Sequence, residues 1–227
     1  MSERIINIAI DGPSGAGKST LAKMIANERG YIYVDTGAMY RSIGLYMVRR
    51  SVDLTNVKAV IAELGGITIS LEYDETGTQR VILCGEDVSE LIRTPEISTA
   101  ASAVSVIPEV RAFLLDTQRS LAKTHSVVMD GRDIGTVILP DADVKIFLTA
   151  SPEGRAKRRL LELRKKGIET TLDEVLADMK ARDERDRTRE TAPAVAAEDA
   201  ILFDNSQYNK EEMLARALEI IDTKLAK

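Results

Sequence analysis

Between Ile10 and Leu21 the chain reads Asp11-Gly12-Pro13-Ser14-Gly15-Ala16-Gly17-Lys18-Ser19-Thr20, the pattern Gly-x-x-x-x-Gly-Lys-Ser. The apolar run Ile5 to Ile10 ahead of it predicts a buried strand, and the residues behind it predict a helix. Glycines at 12, 15 and 17 let the backbone curl until successive N–H groups point inward at a helix N-terminus, which makes an anion-sized nest. Lys18 adds a full positive charge for β- and γ-phosphates, and the Ser19 hydroxyl is the expected protein ligand for Mg²⁺. Residues Gly12, Pro13, Ser14, Gly15, Ala16, Gly17, Lys18, Ser19 and Thr20 are therefore expected to bind a nucleoside triphosphate with its Mg²⁺. The loop does not say what receives the phosphate.

Two other stretches carry charge in a useful arrangement. Asp130-Gly131-Arg132-Asp133 follows the apolar run Ser126 to Met129, so a glycine that permits close backbone approach stands beside a planar guanidinium fork at a strand end. An Asp-Gly turn would read the same way if it stood alone. In Arg182-Asp183-Glu184-Arg185-Asp186-Arg187-Thr188-Arg189 a helix would put Arg182, Arg185, Asp186 and Arg189 on one face. A solvated helix laced with ion pairs is the ordinary origin of such a run. Phosphoryl transfer, however, depends on clamping and neutralising charge, and supplied arginines are worth roughly 10³ to 10⁵ in rate. Arg155, Lys157, Arg158 and Arg159 on the preceding helical pattern belong to the same field. Cys84 reads as a small apolar strand residue, and His125, with neither nucleophile nor metal partner in sequence, as structural.

The elements that must position these groups alternate. Tyr31 to Val34 is β-branched and aromatic and predicts a second strand, ending at Asp35-Thr36 with Tyr40 and Arg41 on the helix that follows, Ala38 to Arg50. Strand, helix, strand is the parallel crossover unit. Asn56 to Leu64 predicts another helix. Ile67 to Leu71 then alternates by twos and Arg80 to Leu83 resumes after a turn at Asp74 to Thr78, which predicts an inserted antiparallel hairpin. Pro108 opens an amphipathic helix to about Lys123, Val144 to Leu148 is a fourth core strand, and two charged helices joined near Gly167 lie between Pro152 and Asp186. Ala200 to Asp204 predicts a last buried strand and Asn209 to Lys224 a terminal helix. Five apolar strands separated by helices imply an α/β core with a parallel sheet whose ligands sit at the carboxyl ends of the strands. The phosphate loop, Asp35-Thr36 and Asp130 to Asp133 should then converge on one crevice.

The 227 residues are 44% hydrophobic and 30% charged, ordinary for a globular protein with a sizeable core. With 31 basic against 36 acidic residues the net charge of −5 offers no general attraction to nucleic acid or to an anionic membrane. No apolar run approaches the ~20 residues needed to span a bilayer, and the start around Glu3 and Arg4 has no apolar leader core, so a cytoplasmic monomer is expected.

Taken together, the Gly12 to Thr20 loop, Asp35-Thr36-Gly37-Ala38-Met39-Tyr40-Arg41, Gly85-Glu86-Asp87-Val88, Asp130-Gly131-Arg132-Asp133-Ile134-Gly135-Thr136-Val137 and Arg182 to Arg187 make the chain resemble the bacterial cytidylate kinases of the nucleoside monophosphate kinase group over nearly its whole length. The resemblance implies a P-loop kinase with a five-stranded parallel core (1–35, 107–151 and 190–227), a monophosphate-binding insert with a small antiparallel sheet (36–106), and a helical lid (152–189). It implies that Thr36, Arg41 and Arg132 hold the acceptor phosphate, that Ser102, Arg111 and Asp133 face the base, and that Arg182 and Asp186 face the sugar. Tyr40, Asp130 and Arg189 complete the expected acceptor set, and Lys18, Arg132, Arg158 and Arg185 are the expected charge-neutralising groups. Cytosine offers an amino donor to a carboxylate and ring acceptors to an arginine, whereas uracil reverses two of these positions and leaves buried groups mispaired. The implied reaction is transfer from ATP to CMP or dCMP. Its rivals are another monophosphate or a small hydroxylated acceptor, and a nucleotide switch; no Asn-Lys-x-Asp guanine-reading motif follows a core strand, which disfavours the switch.

Overall fold

The computed structural model describes residues 4–75, 77–165 and 167–226; Glu3 and Thr76 of the expected turn lie outside the described residues. Five parallel strands form the main sheet in the order β2-β6-β1-β7-β8: β1 (Asn7–Asp11), β2 (Ile32–Asp35), β6 (Val127–Asp130), β7 (Val144–Thr149) and β8 (Ile201–Asp204). The central strand β1 lies between β6 and β7, with Ile10 beside Asp130 and Asp11 beside Phe147. Alternation on the strands sorts their residues to two faces. Ile8, Ile10, Ile146 and Leu148 meet Leu21, Ala22 and Ile25 of α1 (Lys18–Arg29) and Met213, Ala217 and Ile221 of α8 (Lys210–Leu225). Ala9, Val34 and Met129 pack on the other face with Ala122 of α5 (Pro108–Thr124) and with Ile134 and Ile138. Because the inner strands are covered on both faces, their sequences are predominantly apolar; Lys145 of β7 is a buried exception, its Nζ donating to Asp199 at 2.9 Å.

The expected last buried strand is instead the outer strand: Leu202 on β8 is 70% exposed. Its four-residue apolar run could not distinguish an edge from a centre. The other outer strand, β2, leads into α2 (Thr36–Arg49).

The insert runs through α3 (Val57–Glu63), β3 (Ile69–Tyr73), β4 (Gln79–Leu83), a short third strand β5 (Glu86–Asp87) and α4 (Pro95–Val104). It has its own core of Met39, Ile43, Met47, Val60, Val81, Leu83, Ile92 and Val104, which continues into Ile107, Val110 and Leu114 at the start of α5. Cys84 is not an apolar strand residue: it is exposed in the β4–β5 turn at φ 49°. The apolar pattern ends at Leu83, and the tight turn needs both Cys84 and Gly85 in the left-handed region. The two charged helices are α6 (Pro152–Lys165) and α7 (Leu172–Thr188), packed through Ala156, Leu163, Val175 and Met179. Thr171 and Glu174 close a capping box at the start of α7.

Candidate active site

The phosphate loop connects β1 to α1. Gly12 sits at φ 142°, and a Cβ there would fall 2.0 Å from the Leu148 carbonyl oxygen of β7, so the first glycine lets the loop leave the sheet. Gly17 caps α1 in the left-handed region, and Lys18 begins the helix with Nζ donating to the Pro13 carbonyl at 2.8 Å. Burial and the nearby Arg132 push Lys18 down to about 7, against the pull of Asp130 and Asp11. The outside of the loop is held by Asn205, just past β8, whose Nδ2 donates to the Ala16 carbonyl at 2.6 Å. Arg158 of α6 reaches Asn205 Oδ1 at 3.3 Å.

Beside the loop, at the end of β6, Asp130 accepts from Ser19 Oγ and from Tyr33 Oη, each at 2.9 Å. Burial, then the charge of Asp35, raises its carboxyl to about 6. Asp11 is raised to about 6, again chiefly by burial, although it accepts the Ile134 and Gly135 N–H groups at 2.8 Å each. Those donors open a π-helical turn, Ile134–Ile138, whose far carbonyls at Val137 and Ile138 are taken by Arg119. Both ends of this short turn are therefore capped, and the capping holds the preceding Gly131, Arg132 and Asp133 against the loop.

On the acceptor side Thr36 Oγ1 donates to the Asp130 carbonyl at 2.8 Å, and Arg41 pairs with Asp35 at 2.9 Å while its Nε stays buried without a partner. Arg132 Nε donates to Asp186 at 3.0 Å. Arg182 has a buried Nε with no partner, and burial with the proximity of Arg132 pushes its pKa down to about 10. Lys18, Arg132 and Arg182 lie within electrostatic reach of one another, and Arg41 and Arg182 each keep a buried Nε without a partner, so the crevice holds guanidinium donors that a phosphate group would satisfy.

Further along, Asp133 is gripped by Arg111, whose guanidinium also lies 5.6 Å from the Tyr40 ring, and by Arg189 at 3.2 Å. Burial raises the Asp133 carboxyl, and the two arginines oppose that shift. Ser105 joins this cluster, accepting from Arg189 at 3.4 Å through Oγ and from Arg111 at 3.3 Å through its carbonyl. A cavity of about 290 Å³ beside it is lined by Tyr40, Arg111, Gln118, Val137, Thr191 and Ala192.

The structure therefore gathers the loop, Thr36, Tyr40, Arg41, Arg111, Asp130, Arg132, Asp133, Arg158, Arg182, Asp186 and Arg189 around the carboxyl ends of β1, β2 and β6. Ser102 is half-buried on α4 and joins through its carbonyl, which accepts from Ser105 Oγ at 3.0 Å. Arg185 is exposed, with Nε donating to the Ala181 carbonyl, and does not join the cluster in this conformation. Arg189 follows the end of α7 rather than sharing a helical face. Asp11, Tyr33, Ser105 and Asn205 were not among the expected site residues. Asp11 and Asn205 stand at strand ends, the same signal that singled out Asp130, whereas nothing local marks Ser105. His125 is exposed at the end of α5, its Nδ1 2.8 Å from Thr124 Oγ1. Among the described residues no helix by itself is long and apolar enough to cross a membrane.

The family model described as cytidylate kinase matches residues 8–223. The chain is 51% identical over 215 residues to the cytidylate kinase of Caldicellulosiruptor saccharolyticus, covering 95% of each protein. It is 49% identical over 220 residues to that of Desulfitobacterium hafniense, covering 97% of this chain and 94% of the relative. A crystal structure from Eubacterium ventriosum shares the fold alone, at a TM-score of 0.52 and 15% identity over 97% of this chain and 99% of that one. With phosphate loop, acceptor-side cations and strand-end carboxylates all inside the matched span, the chain belongs to the cytidylate kinase family.

Proposed function

We propose that the protein transfers the γ-phosphoryl group of ATP to CMP or dCMP, yielding ADP and CDP or dCDP. The observation that carries this reading is the convergence on one crevice of a phosphate loop, two arginines with an unpartnered buried Nε, Arg41 and Arg182, and the Arg111–Asp133–Arg189 cluster. The loop holds the donor. Thr36, Arg41 and Arg132 hold the acceptor phosphate, Asp133 and Arg111 face the cytosine amino group and ring acceptors, with Ser102 and Tyr40 beside them, and Arg182 and Asp186 take the sugar. Asp133 accepts from the amino group as a carboxylate, a state that Arg111 and Arg189 favour against burial.

Transfer of this kind asks for alignment and charge neutralisation rather than a strong base. Lys18, Arg132 and the lid arginines Arg158 and Arg185 supply the positive charge. Ser19 and Asp130 fit Mg²⁺: two hard oxygen ligands adjoin at the loop, and Asp130 is buried short of countercharge, as a carboxylate that awaits a cation would be. Among the described residues no cluster of three or more His, Cys, Asp or Glu forms an all-protein cage, which suits an ion that takes its other ligands from nucleotide and water. Bound there, the ion neutralises charge on the nucleotide phosphates. Lid closure excludes water, the competing acceptor.

We divide the chain functionally into core, acceptor insert (36–106) and lid (152–189). The insert core continues into α5 as far as Leu114.

The test is ADP release with each nucleoside monophosphate in turn. CMP and dCMP are expected to exceed UMP at least about tenfold in kcat/KM, the scale of discrimination that one mispaired buried polar group provides. Equal rates with all monophosphates would overturn the cytosine reading. ADP release independent of any acceptor would overturn the kinase reading.

A further inference from the structure

The lid touches the phosphate loop at both backbone groups of Ser14 and, through Arg158 Nη1, at the Ala16 carbonyl at 3.5 Å. Asp183 of α7 accepts the Ser14 N–H at 3.0 Å with one oxygen and Arg155 Nη1 at 2.6 Å with the other. The same Arg155 nitrogen donates to the Ser14 carbonyl at 2.7 Å, and Nε reaches the Ala150 carbonyl at 3.1 Å, just past β7. Both backbone polar groups of Ser14 are thus engaged by the lid. Arg155 is only 6% exposed, so its charge depends on Asp183 for compensation. The fit is close: a Cβ on Gly15, at φ 69°, would lie 2.8 Å from Met179 Cε of α7 and 3.4 Å from Arg155 Cβ. The second glycine of the loop therefore admits the lid as well as turning the chain.

Asp183 directly follows Arg182, the lid arginine with an unpartnered buried Nε that bears electrostatically on Lys18 and Arg132. Neighbours on a helix keep a fixed angular relation, so anchoring one aims the other. We propose that Asp183, compensated by Arg155, is a positioning residue: its bond to the Ser14 N–H seats α7 on the phosphate loop in the register that sets Arg182 over the acceptor sugar, beside Lys18 and Arg132. Asp183 touches no substrate in this scheme. It acts through Ser14 and Arg182, and the inference rests on the kinase reading of the site.

The test measures ADP and CDP formation separately, together with equilibrium CMP binding and melting temperature, for wild type, Asp183→Ala, Asp183→Asn, Arg155→Met and the double variant Asp183→Asn/Arg155→Met. Asp183→Ala is expected to lower kcat ten- to hundredfold, to raise the Kd for CMP at least threefold as Arg182 loses its place at the sugar, and to raise the ADP formed per CDP as water gains access. Asp183→Asn keeps a carbonyl for the Ser14 N–H and should recover at least threefold of the loss. The double variant should be no slower than the worse single one, because the pair acts as a unit. A kcat for Asp183→Ala within twofold of wild type overturns the proposal. So does a loss that follows melting temperature, or a double loss equal to the product of the single losses. If Asp183→Ala does not fold, the Asn, Met and double variants decide by the same product test. A wild-type protein that makes no CDP from ATP and CMP would instead sink the kinase reading.

Discussion

Lys18, Asp11 and Asp130 are buried without enough countercharge, and they titrate in opposite directions: the lysine down to about 7, the carboxyls up to about 6. For each carboxyl the folded pKa lies above the unfolded 3.8, so its favourable contribution is complete below about 4 and is lost as pH rises through about 6. Lys18 works the other way: its folded value lies below 10.5, so stability returns as pH rises from about 7 to about 10. The ligand-free protein is therefore expected to be least stable near neutrality. Asp130→Asn, which removes one of these charges, should stabilise the ligand-free protein by about 2 kcal/mol at pH 7 and flatten the fall between pH 4 and 6 in urea titrations. The same change should lower kcat at least about a hundredfold through the lost Mg²⁺ ligand. A parallel loss of stability would refute this assignment. At the base, Asp133→Ala should cut kcat/KM for CMP about ten- to hundredfold and for UMP much less, so that the ratio between them narrows. Asp133 was legible because it follows a strand; its partners Arg111 and Arg189 lie 22 and 56 positions away along the chain, and only the fold reveals the pairing.

Among the elements, the π-helical turn Ile134–Ile138 escaped the sequence reading because its backbone is held by distant side chains, Asp11 on one end and Arg119 on the other. No local propensity encodes it. Arg119→Met would leave the Val137 and Ile138 carbonyls without their donor and should cost about 1–3 kcal/mol, read as a fall in melting temperature of several degrees. The turn carries Asp133 but not the phosphate loop, so KM for CMP should rise while KM for ATP stays within twofold. A uniform change in both constants would count against the turn as an acceptor-side support. The strands were easier to read, since buried parallel strands are predominantly apolar. That property also misled at β8, where exposure of Leu202 is a matter of position in the sheet and not of composition. The phosphate loop was fully legible: its glycines, lysine and serine act through local backbone geometry.

Across the whole molecule, the acceptor insert is fastened to the sheet at β2. Gln79 Oε1 of β4 accepts the Asp35 N–H at 2.9 Å, and Tyr73 Oη of β3 donates to the Tyr33 carbonyl at 2.9 Å. These bonds fill positions on the free side of the outer strand, where a sixth strand would otherwise pair. Gln79→Ala should speed hydrogen exchange at the Asp35 amide at least about tenfold and leave the central amide of Gly131, bonded to Ile10, at its wild-type rate. Equal acceleration at both would point to global loosening. Such an arrangement gives the insert a second duty. An open strand edge is a template for another chain, and two side chains borrowed from the insert keep this one closed. Any swing of the insert that withdraws Gln79 and Tyr73 uncovers that template, so the solubility of this protein under gentle heating, followed by light scattering, should depend on the occupancy of its acceptor site.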